Sequence, residues 1–164
     1  MKLRSRAHVT SSDSERRGLG SGSRLLLVTE DPFLMEEVHA TIGQRGVDMV
    51  TCMGPTASPC MLEAGPTCPL AARATVALVD QPPGGAFRYH WNVVSARDYA
   101  ERLQLAHPST AVVLSARDDV PLEEGEGEVP FMTRSTALLL LNWMASESRV
   151  VDTQAATPTR GGGS

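Results

Sequence analysis

A doubly wound parallel sheet of five strands, in the order 2-1-3-4-5, is the fold class that the 164 residues predict. Three observations lead there. Five short apolar runs recur along the chain, each long enough for a buried strand and too short for a buried helix. Stretches of helical period or of loop composition separate them, as the crossovers of a parallel sheet require. Hydrophobic residues make up 41% and charged residues 21%, the balance of an ordinary globular domain.

The first run, RLLLVT at 24–29, is continuously apolar, as a strand buried on both faces should be. Residues 32–45 follow as a helix, with Met35, Val38 and Ile42 at helical spacing, Pro32 in the first turn and Gly46 at the end. VDMVTCM at 47–53 is the second strand. The crossover after it, GPTASPCMLEAGPTCPLAA, holds four prolines and makes a poor helix throughout. RATVALV at 73–79 is the third strand, and PPGG with a longer segment, AFRYHWNVV, follows it. A helix then starts at Ser95, a good N-cap with Asp98 three residues on, and carries Tyr99, Leu103 and Ala106 on one face. TAVVLSA at 110–116 is the fourth strand. The next crossover is short or is replaced by the acidic loop DDVPLEEGEGE. VPFMT at 129–133 is the fifth strand, and STALLLLNWMAS at 135–146 is the last helix.

Length points to one domain, residues 24–148, between disordered tails at 1–23 and 149–164. The first tail carries Lys2, Arg4, Arg6, Arg16 and Arg17 against Asp13 and Glu15, which leaves open a weak contact with an acidic surface. Aromatics are only 4%, so an aliphatic core is expected. A net charge of −4 argues against nucleic acid as a partner of the folded domain. Lys2 is the only lysine, so neither a Walker A loop nor a Schiff-base lysine can exist in the domain. Cys52, Cys60 and Cys68 match no common zinc spacing and are read as unremarkable thiols in a reducing, cytoplasmic setting. No apolar run is long enough to span a bilayer, and the run after Arg16-Arg17 is too short for a signal peptide.

Sheets of this order place their sites at the carboxyl ends of the strands, near the switch of direction between strands 1 and 3. Glu30 and Asp31 follow strand 1, Asp80 follows strand 3, Ser115 ends strand 4 and Arg134 follows strand 5. Residues far apart in sequence thus converge on one rim.

These stretches resemble the receiver domain of bacterial two-component response regulators, over about residues 24–148. LLLVTEDP is similar to the family's first strand with its acidic pair, VALVDQPPGG to the third strand with its phospho-accepting aspartate, and VVLSA to the fourth with its hydroxyl residue. GEVPFMTRS is similar to the family's Gly-Ala-x-x-Phe-Leu-x-Lys-Pro. The resemblance implies Asp80 as phospho-acceptor, Glu30 and Asp80 as ligands of Mg²⁺, and Ser115 and Arg134 as contacts of a phosphoryl group. It also implies a sensor kinase or an output protein as partner, with output in trans because no output domain follows residue 148. Two departures stand out. The first member of the acidic pair is Thr29, and Arg134 replaces the lysine with a planar fork that can instead form a bidentate ion pair with Asp80.

The expectation is therefore a degenerate receiver: a non-enzymatic signalling module that binds a protein partner or itself, with an altered phosphorylation site. A working atypical receiver phosphorylated on Asp80 is the alternative. A small hydrolase or redox protein is a third, but no Gly-x-Ser-x-Gly elbow or Cys-x-x-Cys supports it. In the last helix Ala137, Leu138, Leu141 and Ala145 share the face toward the sheet, while Leu139, Leu140 and Trp143 fall elsewhere. Those three are the candidate interface, for a homodimer or another protein. Tyr89-His90-Trp91 is either a binding anchor or core filling.

Overall fold

Strands form where apolar residues run without interruption, and both faces of the resulting sheet are covered. The computed structural model describes residues 23–56, 60–89, 92–121 and 127–155, without the side chains of Tyr89 and 147–155. Strands β1 (Arg24–Val28), β2 (Asp48–Cys52), β3 (Val76–Asp80), β6 (Ala111–Ala116) and β7 (Phe131–Thr133) make a parallel sheet in the order β2-β1-β3-β6-β7. This is the five-stranded order expected from the sequence. A separate antiparallel pair, β4 (Ala86–Tyr89) and β5 (Asn92–Ser95), lies between β3 and the helix that follows.

Side chains alternate across the sheet and build two cores. Leu25, Leu27, Val76, Leu78 and Val113 face α1 (Pro32–Ile42) and α4 (Arg134–Ala155), where Leu34, Val38, Ile42, Ala137, Leu141 and Ala145 are buried. Leu26, Val28, Ala77, Val79, Val112 and Leu114 face the other way, onto the second crossover and α3 (Ala96–Ala106). In α1 the buried stripe is Leu34, Val38 and Ile42, with Met35 only half-buried, so the face is rotated slightly from the expected one. The helix ends at Ile42, and a 3-10 turn carries the chain to Gly46, left-handed at φ 76°.

Among its described residues the proline-rich crossover has no long helix, as predicted. It contains 3-10 turns at Gly54–Thr56 and Ala71–Arg73 and the single turn α2 (Met61–Ala64). Tertiary contacts hold it in place. Arg102 of α3 donates to Glu63 at 2.6 Å and to the Leu62 carbonyl at 3.0 Å. Gly54 adopts φ 62°, and a Cβ there would stand 2.8 Å from Cγ1 of Val28.

The core is not wholly aliphatic. Phe87 of β4 is buried, its ring 5.5 Å from that of Tyr99 in an edge-to-face arrangement. The segment after β3 is thus a hairpin that drives one aromatic into the core, not an irregular loop. Of the Tyr89-His90-Trp91 cluster, the Tyr89 side chain, His90 and Trp91 lie outside the described residues. In α3 the Ser95 hydroxyl accepts from the Asp98 amide at 3.1 Å, and Tyr99 and Leu103 are buried, as the capping pattern predicts. No helix occurs between β6 and β7 among the described residues. There Asp118 caps α4 instead, accepting from the amide of Ser135 at 3.2 Å and from its hydroxyl. Helix α4 starts at Arg134 and runs to Ala155, past residue 148. No helix among the described residues is long and apolar enough to cross a membrane.

Candidate functional site: a carboxylate closed by an arginine fork

Parallel registry sets the site. Asp80, the last residue of β3, lies directly beside Ser115 of β6, and Thr29 follows Val28, the partner of Val79, at the end of β1. All three side chains are buried. A buried carboxylate is costly unless it is paired and hydrogen-bonded, and Asp80 is both. The Arg134 fork meets it edge-on, Nε donating to Oδ1 at 2.8 Å and Nη2 to Oδ2 at 2.7 Å. The Thr29 hydroxyl donates to Oδ2 at 2.9 Å, and the Ser115 hydroxyl faces Oδ1 at 3.4 Å. A carboxylate offers about four lone-pair positions, and here each oxygen already has two partners.

The third donor of Arg134, Nη1, reaches Oδ2 of Asp31 at 2.7 Å. Asp31 also caps α1, accepting from the Phe33 amide at 2.9 Å, and its own amide donates to the Thr29 hydroxyl at 3.0 Å. One guanidinium therefore ties the end of β3, the start of α1 and the start of α4. Burial disfavours the charged form of Asp31, but the hydrogen bonds from Arg134 and Phe33 outweigh it and hold the carboxyl below its usual range. For Arg134 burial works against the charge as well, and Asp80, then Asp31, reverse the balance and strengthen its basicity.

Asp80, Ser115 and Arg134, expected on one rim, are brought into one hydrogen-bonded group. Glu30 is not part of it: its side chain is exposed and joins none of these bonds. Of the pair read at Thr29 and Glu30, Thr29 bonds Asp80 directly, and Asp31, the next residue, joins the group through Arg134. Asp31 was legible as a helix cap, since Asp-Pro is an N-cap followed by an N1 proline. Its reach to Arg134 depends on tertiary geometry. Among the described residues, no three His, Cys, Asp or Glu side chains are grouped to hold a metal ion. Leu139 and Trp143 are 69% and 59% exposed, and Leu140 is half-buried. Cys52 and Cys60 are half-buried and Cys68 is buried, all as free thiols, and burial pushes the Cys52 thiol up.

Solved structures of low sequence identity share this arrangement of strands and helices. The N-terminal domain of a response regulator/sensory box/GGDEF three-domain protein from Carboxydothermus hydrogenoformans superposes with a TM-score of 0.51 at 13% identity, covering 81% of this chain and 99% of that one. The fold is a receiver fold. An orphan response regulator of H. pylori gives a TM-score of 0.50 at 12% identity, over 77% of this chain and 98% of its own. By sequence, no family model and no curated relative matches the chain.

Proposed function

We propose that this receiver-fold protein is a signalling module that binds a protein partner and does not use Asp80 for routine phosphotransfer. The observation that carries this reading is the double occupancy of both Asp80 oxygens by Arg134, Thr29 and Ser115. Attack on a phosphoryl group needs a free carboxylate lone pair, and none is left over here. The same donors do not fit a Mg²⁺ ion. That ion needs several oxygen ligands in near-octahedral array, whereas Thr29 supplies a neutral hydroxyl, Glu30 stands in solvent, and Asp80 and Asp31 are both already paired with Arg134. The fixed guanidinium takes the electrostatic role of both metal and phosphoryl-binding cation, which favours one permanent state over a switch. The exposed Leu139 and Trp143, with Leu140 beside them, form the proposed partner face, for a second copy, a sensor kinase or an output protein. A reducing, cytoplasmic setting suits three free thiols.

One observation favours a second reading, a working receiver phosphorylated on Asp80. The Ser115 hydroxyl stands beside that carboxylate, where a switch residue would sense a phosphoryl group. Incubation with a small phosphodonor and Mg²⁺ decides between the two. The wild type is expected to form no acyl phosphate by mass, while the double variant Thr29→Asp, Arg134→Lys gains both Mg²⁺ affinity and phosphorylation. An acyl phosphate on the wild type that is lost in Asp80→Asn would establish the second reading instead.

A further inference from the structure

Strand β2 ends the sheet on one side, and no described residue pairs with its outer edge. On the inner side the Asp48 amide donates to the Ser23 carbonyl at 3.1 Å, and the Cys52 carbonyl accepts from the Thr29 amide at 3.0 Å. Peptide groups alternate along a strand, so the N–H and C=O of Met49 and Thr51 point outward. Natural edges are blunted by lysine, proline, bulges or a covering segment. Strand β2 has no lysine or proline, and its one charge, Asp48, is paired with Arg24 at 2.7 Å. Along this edge a shallow groove runs between α1 and β2, lined by Met35, Glu36, His39, Ala40, Met49 and Thr51.

We infer that β2 pairs antiparallel with β2 of a second copy across a two-fold axis at Val50, joining the two five-stranded sheets into one. The register follows from the edge itself. Met49 and Thr51 carry the outward groups of the strand and lie symmetrically about Val50. Each exchanges both main-chain hydrogen bonds with the other residue of the second copy, so no outward group of the strand is left unpaired. The side chains fit the same register. Met49 and Thr51 line one face and become direct cross-strand neighbours. Asp48 falls opposite the second copy's Cys52, with the other Asp48 at the far end of the pair. The groups beside the strand are complementary too. The groove sets residues 35–40 of α1 level with 49–51 of β2, so the axis passes between Glu36 and His39. It lays α1 antiparallel to its mate and sets Glu36 opposite the second copy's His39. A carboxylate accepts from an imidazole N–H whether or not the ring is charged. The paired edge is the opposite one from β7, where α4 begins, so Leu139 and Trp143 stay open for another protein.

Sedimentation equilibrium on the full-length protein tests the inference, and the wild type is expected to dimerise. Thr51→Pro removes an outward N–H, a place where edge strands accept proline, and leaves the pairing with β1 intact. By symmetry it deletes a hydrogen bond from each copy, and it is expected to weaken dimerisation about tenfold or more. Met49→Lys, which blunts the edge with charge, should act in the same direction. Both variants should unfold in urea close to the wild-type midpoint, and Trp143→Glu should remain a dimer. In hydrogen exchange the Met49 and Thr51 amides should be protected in the wild type and lose that protection on dilution. If Thr51→Pro unfolds, Met49→Lys alone decides. A wild type that stays monomeric at every concentration overturns the inference. So does a dimer that the folded β2 variants leave intact, a dimer that Trp143→Glu dissociates, or protection of the two amides that dilution does not change.

Discussion

Arg134 sits at the N-terminus of α4, the end of a helix where a positive charge is disfavoured by the macrodipole. It is stable there because Asp80 and Asp31 converge on its fork at 2.7 Å each, and because Asp118 lies at the same helix start, held below the usual carboxylate range by the Ser135 hydroxyl and amide. The consequence is asymmetric. Removing the cation strands a carboxylate that is 2% exposed, whereas neutralising the carboxylate leaves a 17%-exposed guanidinium still paired with Asp31. Arg134→Ala is therefore expected to cost about 3 kcal/mol, the lower end for a broken buried pair. Asp80→Asn should cost clearly less. Urea denaturation of the two variants measures the difference, and equal losses would mean that the fork contributes packing more than charge.

At the scale of elements, the second crossover shows how a segment of weak helical propensity is held by others. Its four prolines prevent a long helix, and its path is set by Arg102 from α3 and by the close approach of Gly54 to Val28 and Phe87. Gly54→Ala combines a left-handed backbone with a Cβ 2.8 Å from Val28 Cγ1. The expected loss is about 2 kcal/mol, from left-handed strain and overpacking together, read as a lower midpoint in thermal or urea unfolding. An unchanged midpoint would show that the crossover can move off β1 without penalty.

For the whole molecule, the question is what covers the outer side of α4. Ala137, Leu141 and Ala145 are buried against the sheet, while Leu139 and Trp143 remain 69% and 59% exposed. Burying them with Leu140 is worth roughly 5 kcal/mol before the costs of association, enough to support a dimer or a firm complex. Trp143→Glu is expected to keep stability within about 0.5 kcal/mol, as for other surface changes, and to abolish association through this face. Denaturation and sedimentation on the same samples check both halves. Unfolding of the variant would show that the indole belongs to the core.

Local composition determined much of this protein. Continuous apolar runs are strands because burial on both faces suits them, and the crossover stretches between them pointed to a parallel sheet. Ser95 and Asp98 marked a helix start, prolines ruled out a long second helix, and the residues at strand ends marked Asp80, Ser115 and Arg134 as neighbours. Each of these follows from forces that act over a few residues or from the handedness of crossovers. Tertiary structure alone decided the rest. That Asp31, not Glu30, turns toward Arg134 depends on which side of the α1 cap faces the sheet end. Phe87 enters the core because its hairpin folds back over the crossover, a long-range packing choice that the low aromatic content concealed. Most of all, a fork that donates to two carboxylates at once requires β1, β3 and β7 to end at the same height. A side chain's type is written in the sequence, but the number of lone pairs left free on Asp80 depends on distances between strands that only the assembled sheet sets.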